Sequence, residues 1–401
     1  MAGALAGLRI VEVGEMVSAP YAAKLMADAG AEVIKVERPG IGDPARRRGP
    51  FAGDQPHPEK SGLFLYLNSN KLGVTLDIAS ARGFALLERM IRNADVLIHN
   101  LAPPEMDRIG LHFQRLSKAN PKLIMTSILP FGLDGPYRDY RAANLTLWCA
   151  GGASYLNGSP QHPEKPPLST FGQQAYYQGG AHAAVATMGA LLAGLGDGAG
   201  QHVEVSVQEA VASILEMTFA FWPYVGMIAS RLGQKPIQPL EVMKCKDGYI
   251  FICCIEEHQW HSFVELMGRP EWAAEEIFSD RLKRAAHWDA LRPLLEEWVG
   301  GQSVHELYRQ ALERKIPFAP VSTMGDLLSA EHLKARGFFV ELAHPQAGRY
   351  RYPGAPVKYS ATPWEIRRPA PLLGQHNREV FVGQLELTET ELAELDKSGV
   401  I

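Results

Sequence analysis

Reactive side chains occur throughout this sequence, but few have the spacing that a metal or nucleophile site requires. His99, His182 and His202 show neither helix-face nor paired spacing, so we do not expect them to form a metal set. Glu12 and Glu15 flank the first predicted loop. We therefore predict no metal centre, and side-chain chemistry alone singles out no catalytic group.

The cysteines are few and irregularly spaced, and they lack the paired motif of a zinc site. This pattern favours buried thiols in a reducing cytoplasm. The four are Cys149, Cys245, Cys253 and Cys254.

The segment 166–192 combines a loop with a long helix rich in glycine and alanine. Small residues such as Gly179, Gly180 and Ala183 allow another surface to approach the backbone closely. The segment contains no GxxxxGK or GxGxxG phosphate loop. From the residues alone, a tightly packed core helix competes with a ligand site as its interpretation.

Composition argues against several classes of partner. Hydrophobic residues make up 46% and charged residues 21% of the 401 positions, and the formal net charge is −4. We therefore expect a globular protein with more than one domain and no nucleic-acid partner. We find no apolar run of membrane-spanning length and no signal peptide, so we predict no membrane contact and a cytoplasmic location.

The order of predicted elements indicates an α/β fold. A strand at 8–13, a helix at about 19–29 and a strand at 31–37 imply a right-handed crossover and a parallel sheet. Further strands are predicted at 94–99 and 123–129. Ligand contacts are therefore expected in loops beyond the carboxyl ends of these strands.

The chain divides into three predicted segments. Residues 1–224 form the N-terminal part of a large domain, and the apolar stretch 208–229 reads as one helix. Residues 225–330 form a smaller domain that begins near a hairpin with an Asp-Gly turn. Residues 331–401 are expected to return to the large domain.

Several stretches resemble the family III CoA-transferases, in the family's order and over nearly the whole chain. They include VEVGEMVSAPYAAKLMADAGAEVIKVERPGIGDPAR, LNSNKLGVTLDI, HNLAPPEMDRIGL, GQHVEVSVQEA and PVKYSATPWEIRRPAPLLGQHN. That family includes formyl-CoA transferase, the CaiB/BaiF type and the α-methylacyl-CoA racemases. The resemblance implies a Rossmann-like large domain with a parallel sheet formed by both chain ends, a smaller α+β domain, and two chains interlocked like linked rings.

The resemblance also implies that catalysis depends on an aspartate. In the family it attacks an acyl-CoA thioester, and the reaction proceeds through enzyme-bound mixed anhydrides. When Pro167, Gly180 and His182 are placed on the family's pattern without gaps, Tyr176 takes the aspartate position. No Asp or Glu lies within 165–196, and a phenol with a pKa of about 10 is mostly neutral at pH 7. We therefore predict no catalytic residue in this chain.

Two further positions depart from the pattern that the resemblance implies. Asn144 stands where formyl-CoA transferase has a glutamate. The segment 231–239 corresponds to a mobile glycine-rich loop of the family. Here it has a single glycine, Gly233, and its two prolines stiffen the backbone. Together with Tyr176, these changes fit a chain that does not perform the chemistry itself.

The positions that contact CoA in the family are better kept. Arg38 matches an arginine near the adenine end of CoA, and Arg141 lies where a lysine is usual. Cationic side chains suit the phosphates of CoA, while a solvated surface charge is the alternative for each one. The resemblance implies CoA or acyl-CoA as substrate, no permanently bound cofactor, and CoA contacts from Val17, Ser18, Arg38, Asn70, Lys71, Asn100, Leu101, Arg108 and Arg141.

We therefore predict the aspartate-lacking subunit of a heteromeric family III CoA-transferase, similar in character to succinyl-CoA:benzylsuccinate CoA-transferase of anaerobic aromatic degradation. The enzyme would move CoA between carboxylic acids, for example from succinyl-CoA to an aromatic or dicarboxylic acid. The expected partner is a homologous Asp-containing subunit, in an interlocked heterodimer or heterotetramer. Two alternatives stay open: a self-sufficient acyl-CoA racemase, isomerase or lyase, and a CoA-binding regulatory pseudoenzyme.

Overall fold

The computed structural model describes residues 3–160, 162–231 and 237–401. The described residues separate into two compact units. The first contains those of Met1–Gly158, Lys165–Ser230 and Gly337–Ile401, and the second those of Ser159–Glu164 and Arg231–Arg336. Gly233, with most of the predicted stiffened loop at 231–239, lies outside the described residues.

Strands form three separate sheets. The largest lies in the first unit and has the order β3-β2-β1-β4-β5-β6, with every neighbouring pair parallel; β7–β9 form a sheet in the second unit, and β10–β11 form a hairpin in the first. The strands are β1 Arg9–Val13, β2 Glu32–Glu37, β3 Lys71–Thr75, β4 Val96–His99, β5 Ile124–Leu129, β6 Gln201–Ser206, β7 Leu240–Cys245, β8 Gly248–Cys253, β9 Ala319–Pro320, β10 Phe339–His344 and β11 Gly348–Pro353.

Helices cover both faces of the large sheet and build most of the second unit. In chain order they are α1 Ser18–Asp28, α2 Gly62–Leu67, α3 Ala81–Arg92, α4 Pro103–Ile109, α5 Phe113–Ala119, α6 Asn144–Ala150, α7 Gln174–Asp197, α8 Val207–Ser213, α9 Glu216–Val225, α10 Glu257–Leu266, α11 Arg281–Ala286, α12 Trp288–Gly300, α13 Val304–Glu313, α14 Met324–Ser329, α15 Glu331–Ala335, α16 Asn377–Phe381 and α17 Glu389–Lys397.

The parallel sheet confirms the predicted α/β class with a Rossmann-like large domain. Its six strands all lie within residues 9–206, so the prediction that both chain ends form the sheet is wrong. The C-terminal segment instead packs its helices onto the sheet, and it buries Val380 and Phe381 in the core shared with Val11 and Leu97. The strands of the sheet are already paired with one another, so the C-terminal helices contribute by covering one face of the sheet with apolar side chains.

The predicted single helix at 208–229 is also wrong, because the chain forms two helices there, α8 and α9. Ser206 starts α8 by accepting a hydrogen bond from the Glu209 N–H. The residues at the interruption, Ile214 and Leu215, are apolar, so the sequence gives no local signal for the break between the two helices. The prediction that the cysteines are buried holds for three of them but not for Cys149, which is exposed.

Helix α7 packs along α1 in the first unit, and its small residues make the close approach possible. A Cβ atom added at Gly180 would lie 2.6 Å from the carbonyl oxygen of Ser18. By length and composition alone, the helical segment Gln174–Gly196 could span a membrane. The prediction that no apolar run reaches membrane-spanning length is therefore wrong. Only 33% of this apolar window is buried; the buried residues of α7 include Ala175, Ala183 and Thr187.

His99 gives a testable pH dependence of stability. It is fully buried on β4, where its Nε2 lies 2.6 Å from Ser127 Oγ and its Nδ1 accepts the Leu101 N–H. Burial, reinforced by His202, lowers the pKa of His99 to about 3, so the folded state holds it neutral. Because the unfolded chain binds this proton below about pH 6.5, stability is lost as the pH falls from there towards 3. The free energy of unfolding should drop by about 2 kcal/mol between pH 7 and pH 5 from this group.

Urea unfolding at both pH values tests this expectation. The His99→Gln variant should lose that part of the pH dependence, whereas His332→Gln, at an exposed histidine, should keep it. An unchanged pH dependence in His99→Gln would contradict the assignment.

Candidate functional site

A large cleft opens at the carboxyl end of the parallel sheet, where the strand order reverses between β1 and β4. This is the position at which open α/β sheets bind ligands. The cleft has a volume of about 980 Å³. Its lining comes from the loops after the strands, from α4, from the end of β5 and from the starts of α1, α6, α7 and α8. The lining residues are Glu15, Met16, Val17, Ser18, Arg38, Arg48, Asn100, Leu101, Ala102, Pro104, Glu105, Arg108, Ile128, Pro130, Asp139, Tyr140, Arg141, Ala142, Ala143, Asn144, Gln173, Tyr176 and Val207.

A second, narrower cavity of about 130 Å³ lies beyond the ends of β1, β2 and β3. Val13, Val36 and Leu76 contribute its apolar lining, and Asp77 and Ala79 belong to the loop after β3. The residues that line both cavities are Glu15, Arg38, Leu101, Glu105 and Arg108. The two cavities therefore meet at a shared border of charged residues.

The loop between β1 and α1 is held in place by Asn100. The Asn100 side-chain oxygen accepts the Glu15 N–H at 2.9 Å, and its amide nitrogen donates to the Glu15 carbonyl and to Ser18 Oγ at 2.8 and 3.0 Å. Met16 has a φ of 62°, which is rare for a side-chain-bearing residue. One amide thus fixes both ends of the turn that lines the cleft.

A buried charge pair supports the same loop from beneath. The Met16 N–H donates to Asp43 Oδ1 at 2.9 Å, and Asp43 Oδ2 lies 2.9 Å from Lys35 Nζ. Lys35 also donates to the Gly14 carbonyl and pairs with Glu12, both at 2.9 Å. Burial alone would raise the pKa of Asp43, but Lys35 and backbone N–H donors outweigh it and hold the pKa below its usual value. The loop is therefore held by the buried, ionised carboxylate of Asp43 and its partner Lys35.

Removing the Asn100 amide should loosen this loop. In the Asn100→Ala variant the Glu15 backbone loses two partners in a half-buried place, which should cost about 2 kcal/mol of unfolding free energy. We expect CoA binding, measured by calorimetry, to weaken about tenfold because Val17 and Ser18 lose their fixed position. Asn93→Ala, at the exposed end of α3, is the matched control and should change neither quantity. Unchanged CoA affinity in Asn100→Ala would contradict this role.

The cleft holds four arginines, and two of them are already paired. Arg38 Nε lies 3.2 Å from Glu15, and Arg108 forms two hydrogen bonds to Glu105 at 2.8 and 2.6 Å. Burial raises the pKa of Glu15 although Arg38 opposes the shift. The two other arginines, Arg48 and Arg141, are exposed and form no ion pair with any residue that the structure describes.

Tyr176 lies in the first turn of α7 and faces the cleft. Its hydroxyl donates a hydrogen bond to the Ala142 carbonyl at 3.1 Å, and burial raises the pKa of the phenol above its ordinary value. Asn144, the first residue of α6, caps the start of α7 from outside that helix. Its side-chain oxygen accepts the Ala175 N–H at 2.9 Å, and its amide donates to the Gly172 carbonyl at 3.0 Å. The phenol is therefore held neutral, and Asn144 acts as a helix cap.

Seven of the nine predicted CoA contacts line the cleft: Val17, Ser18, Arg38, Asn100, Leu101, Arg108 and Arg141. Asn70 and Lys71 do not. The Asn70 amide donates to Asp28 and to the Glu365 carbonyl, both at 2.7 Å, so it ties the C-terminal segment to α1.

Lys71 is fully buried beneath the cleft. Its Nζ lies 2.6 Å from Glu12 and donates to the carbonyl of Pro20 and the side chain of Asn68, each at 2.9 Å. Burial lowers the pKa of Lys71 to about 8 although Glu12 opposes the shift. Its ammonium group therefore makes contacts inside the first unit and does not line the cleft.

Sequence reasoning missed Arg48, Gln173 and Tyr140, which also line the cleft. The run of three arginines at 46–48 is the signal in the sequence that could have indicated Arg48. Among the described residues, no three His, Cys, Asp or Glu side chains come together as a metal site would require.

Comparison with known proteins gives consistent relatives. The pattern of CoA-transferase family III matches residues 5–377. A formyl-CoA:oxalate CoA-transferase of Rhodopseudomonas palustris (strain BisA53) is 31% identical, over 100% of this chain and 98% of the relative. The protein named succinyl-CoA–L-malate CoA-transferase alpha subunit of Chloroflexus aurantiacus is also 31% identical, over 99% of this chain and 92% of the relative. The crystal structure of a CAIB/BAIF family protein from Brucella suis superposes with a TM-score of 0.87 at 26% identity, covering 96% of this chain and 100% of the other.

Proposed function

This chain belongs to CoA-transferase family III, and from that premise we propose that it is the non-catalytic subunit of a heteromeric CoA-transferase. The enzyme moves CoA between carboxylic acids, for example from succinyl-CoA to an aromatic or dicarboxylic acid. A homologous subunit supplies the nucleophilic aspartate. This chain supplies the scaffold and a CoA-binding cleft.

The observation that supports this proposal is that, in the part of the chain that the structure describes, no unpaired carboxylate lies where the family pattern places the nucleophile. The carboxylates that line it, among the described residues, are Glu15, Glu105 and Asp139. Each is already in an ion pair with an arginine, at 3.2, 2.6 and 2.5 Å respectively. None is at the first turn of α7, where the family pattern places the nucleophile. An acyl group entering this cleft therefore meets no free carboxylate at that position.

Tyr176 is a poor substitute for that nucleophile. Attack on a thioester requires the phenolate, and burial of the phenol works against ionisation. The hydroxyl proton is also engaged with the Ala142 carbonyl, and no general base among the described residues accepts it. These features favour a structural role for Tyr176 over covalent catalysis.

The cleft suits CoA as a ligand of the proposed enzyme. Val17 and Ser18 present the start of α1, where backbone N–H groups favour phosphate. Arg38 and Arg108 lie on the border between the two cavities, and Asn100 and Leu101 follow β4 beside them. We infer that the nucleotide part of CoA occupies this border, with Arg141, which lines only the large cavity, as a further phosphate contact.

Exposed apolar residues support a partner subunit. Val185, Leu192 and Leu195 share one face of α7 and are all more than 60% exposed, and Phe219 and Trp222 of α9 are similarly exposed. A surface with so many large apolar side chains is typical of a protein–protein interface. The relative from Chloroflexus aurantiacus is named an alpha subunit, which fits a heteromeric arrangement.

Co-purification from the native host tests the proposal. We expect the tagged chain to bring down a homologous chain that carries Gly-Asp at the position of Ala175-Tyr176. A preparation of this chain alone that runs as a homodimer and exchanges CoA at full rate would refute it. Turnover of an acyl-CoA by the single chain, abolished in Tyr176→Phe, would instead support a self-sufficient racemase, isomerase or lyase.

A further inference from the structure

The three consecutive arginines after β2 have three different environments. Arg46 is fully buried, where its guanidinium forms two hydrogen bonds to Glu37 at 2.7 and 2.8 Å and lies over the Phe64 ring at 3.7 Å. Arg47 is exposed and donates to the Ile41 carbonyl at 2.8 Å. Arg46 therefore fixes the segment to the core, and Arg47 forms a hydrogen bond within its own loop.

Arg48 differs because its side chain lines the large cleft on a fixed backbone. The Arg48 N–H donates to the Ala45 carbonyl at 3.0 Å, and its own carbonyl accepts the Ser61 hydroxyl at 2.6 Å. Ser61 is buried and starts α2 by accepting the Phe64 N–H. The backbone at Arg48 is therefore fixed, so binding an anion would order only the arginine side chain.

Among the described residues, no carboxylate forms an ion pair with Arg48 or Arg141 of the cleft. The carboxylates that line the cleft are matched by Arg38, Arg108 and Arg138. Arg48 and Arg141 line only the large cavity, away from the narrow one that Arg38 and Arg108 also border. Arg141 follows Tyr140 in the loop before α6 and takes the CoA phosphate role in the proposed function. Arg48 comes from a different loop and has no ligand group assigned to it.

We propose that Arg48 binds the distal carboxylate of the acyl group, so that the acid handled in this cleft is a dicarboxylic one. A guanidinium pairs with a carboxylate through two parallel charge-assisted hydrogen bonds. Ile128, Pro130 and Val207 give the same cavity an apolar part, which suits the methylene chain between the thioester and the distal carboxylate. This inference rests on the proposed function, because it requires acyl-CoA in the cleft.

Binding of two matched, stable thioethers to the purified full chain tests the inference. S-(3-carboxypropyl)-CoA and S-butyl-CoA differ by one carboxylate, and free CoA serves as the reference. By calorimetry we expect the wild type to bind the carboxypropyl compound about tenfold more tightly than the butyl compound. Arg48→Gln should abolish this preference without changing the dissociation constant for S-butyl-CoA, and Arg48→Lys should restore part of it. Arg47→Gln changes the arginine directly before Arg48, whose side chain donates to the Ile41 carbonyl, and this variant should retain the full preference.

Other outcomes overturn the inference and separate it from the proposed function. Equal binding of both thioethers by the wild type, or a preference that survives Arg48→Gln, would show that Arg48 does not bind the carboxylate. An equal loss for free CoA and both thioethers in Arg48→Gln would make Arg48 a CoA contact. If the wild type binds none of the three compounds, the proposed function fails together with the inference.

Discussion

CoA exchange is expected to rise by roughly 10³-fold or more when this chain is combined with its aspartate-bearing homologue, compared with the chain alone. The reason is chemical: exchange between two acids in this family passes through a covalent acyl adduct, and the cleft offers no free carboxylate at the first turn of α7. The measurement is transfer of CoA from succinyl-CoA to a panel of dicarboxylic and aromatic acids, with each subunit alone and with both together.

Two variants make this expectation specific. Replacing the partner's aspartate by asparagine should abolish exchange, because the nucleophile resides there. Tyr176→Phe in this chain should leave the rate of the complex within about twofold, because only one hydrogen bond to Ala142 is lost. A large loss of rate in Tyr176→Phe, with the complex still assembled, would assign the phenol a chemical role and contradict this account.

The second large effect is expected at Gly180, where α7 meets α1. In Gly180→Val the new side chain would lie within 3 Å of the Ser18 carbonyl oxygen and close to the ring of Tyr21, so the two helices must separate. We expect a loss of about 3 kcal/mol of unfolding free energy from overpacking. CoA binding should weaken as well, because Ser18 lines the cleft.

Gly196→Val is the matched control on the same helix, since no atom lies within 4 Å of a Cβ added there. Its unfolding free energy should stay within about 0.5 kcal/mol of wild type, because valine and glycine differ little in helix propensity. Urea unfolding of both variants measures the contrast. Equal stability of Gly180→Val and Gly196→Val would show that the helices do not pack as described.

The sheet was readable from local sequence, and the reason is visible in β1 and β2. Both are short runs rich in β-branched residues and largely buried. They are separated by α1, which ends at Asp28 and is followed by Gly30 with a φ of 111°. The division between α8 and α9 was not readable, because apolar side chains continue through it. The prediction that both chain ends form the sheet was wrong, because the resemblance specifies which segments join the large domain but not their secondary structure.

The candidate site was only partly readable, because its residues meet across long distances in the chain. Asn100 and Glu15 are 85 positions apart, yet they share the hydrogen bonds that shape the cleft. Asn70 and Lys71 match the family pattern in sequence, but the structure uses both inside the first unit. Arg48 was overlooked because a sequence does not show which of three adjacent arginines is buried, which closes a loop and which faces the cleft.

The central claim is tested most directly by intact-mass spectrometry of the two subunits after incubation with succinyl-CoA and acid quenching. The account predicts that the acyl or CoA adduct appears on the homologous subunit, and that this chain keeps its unmodified mass whether alone or in the complex. An adduct on this chain when it is incubated alone, whether on Tyr176 or elsewhere in the cleft, would contradict it.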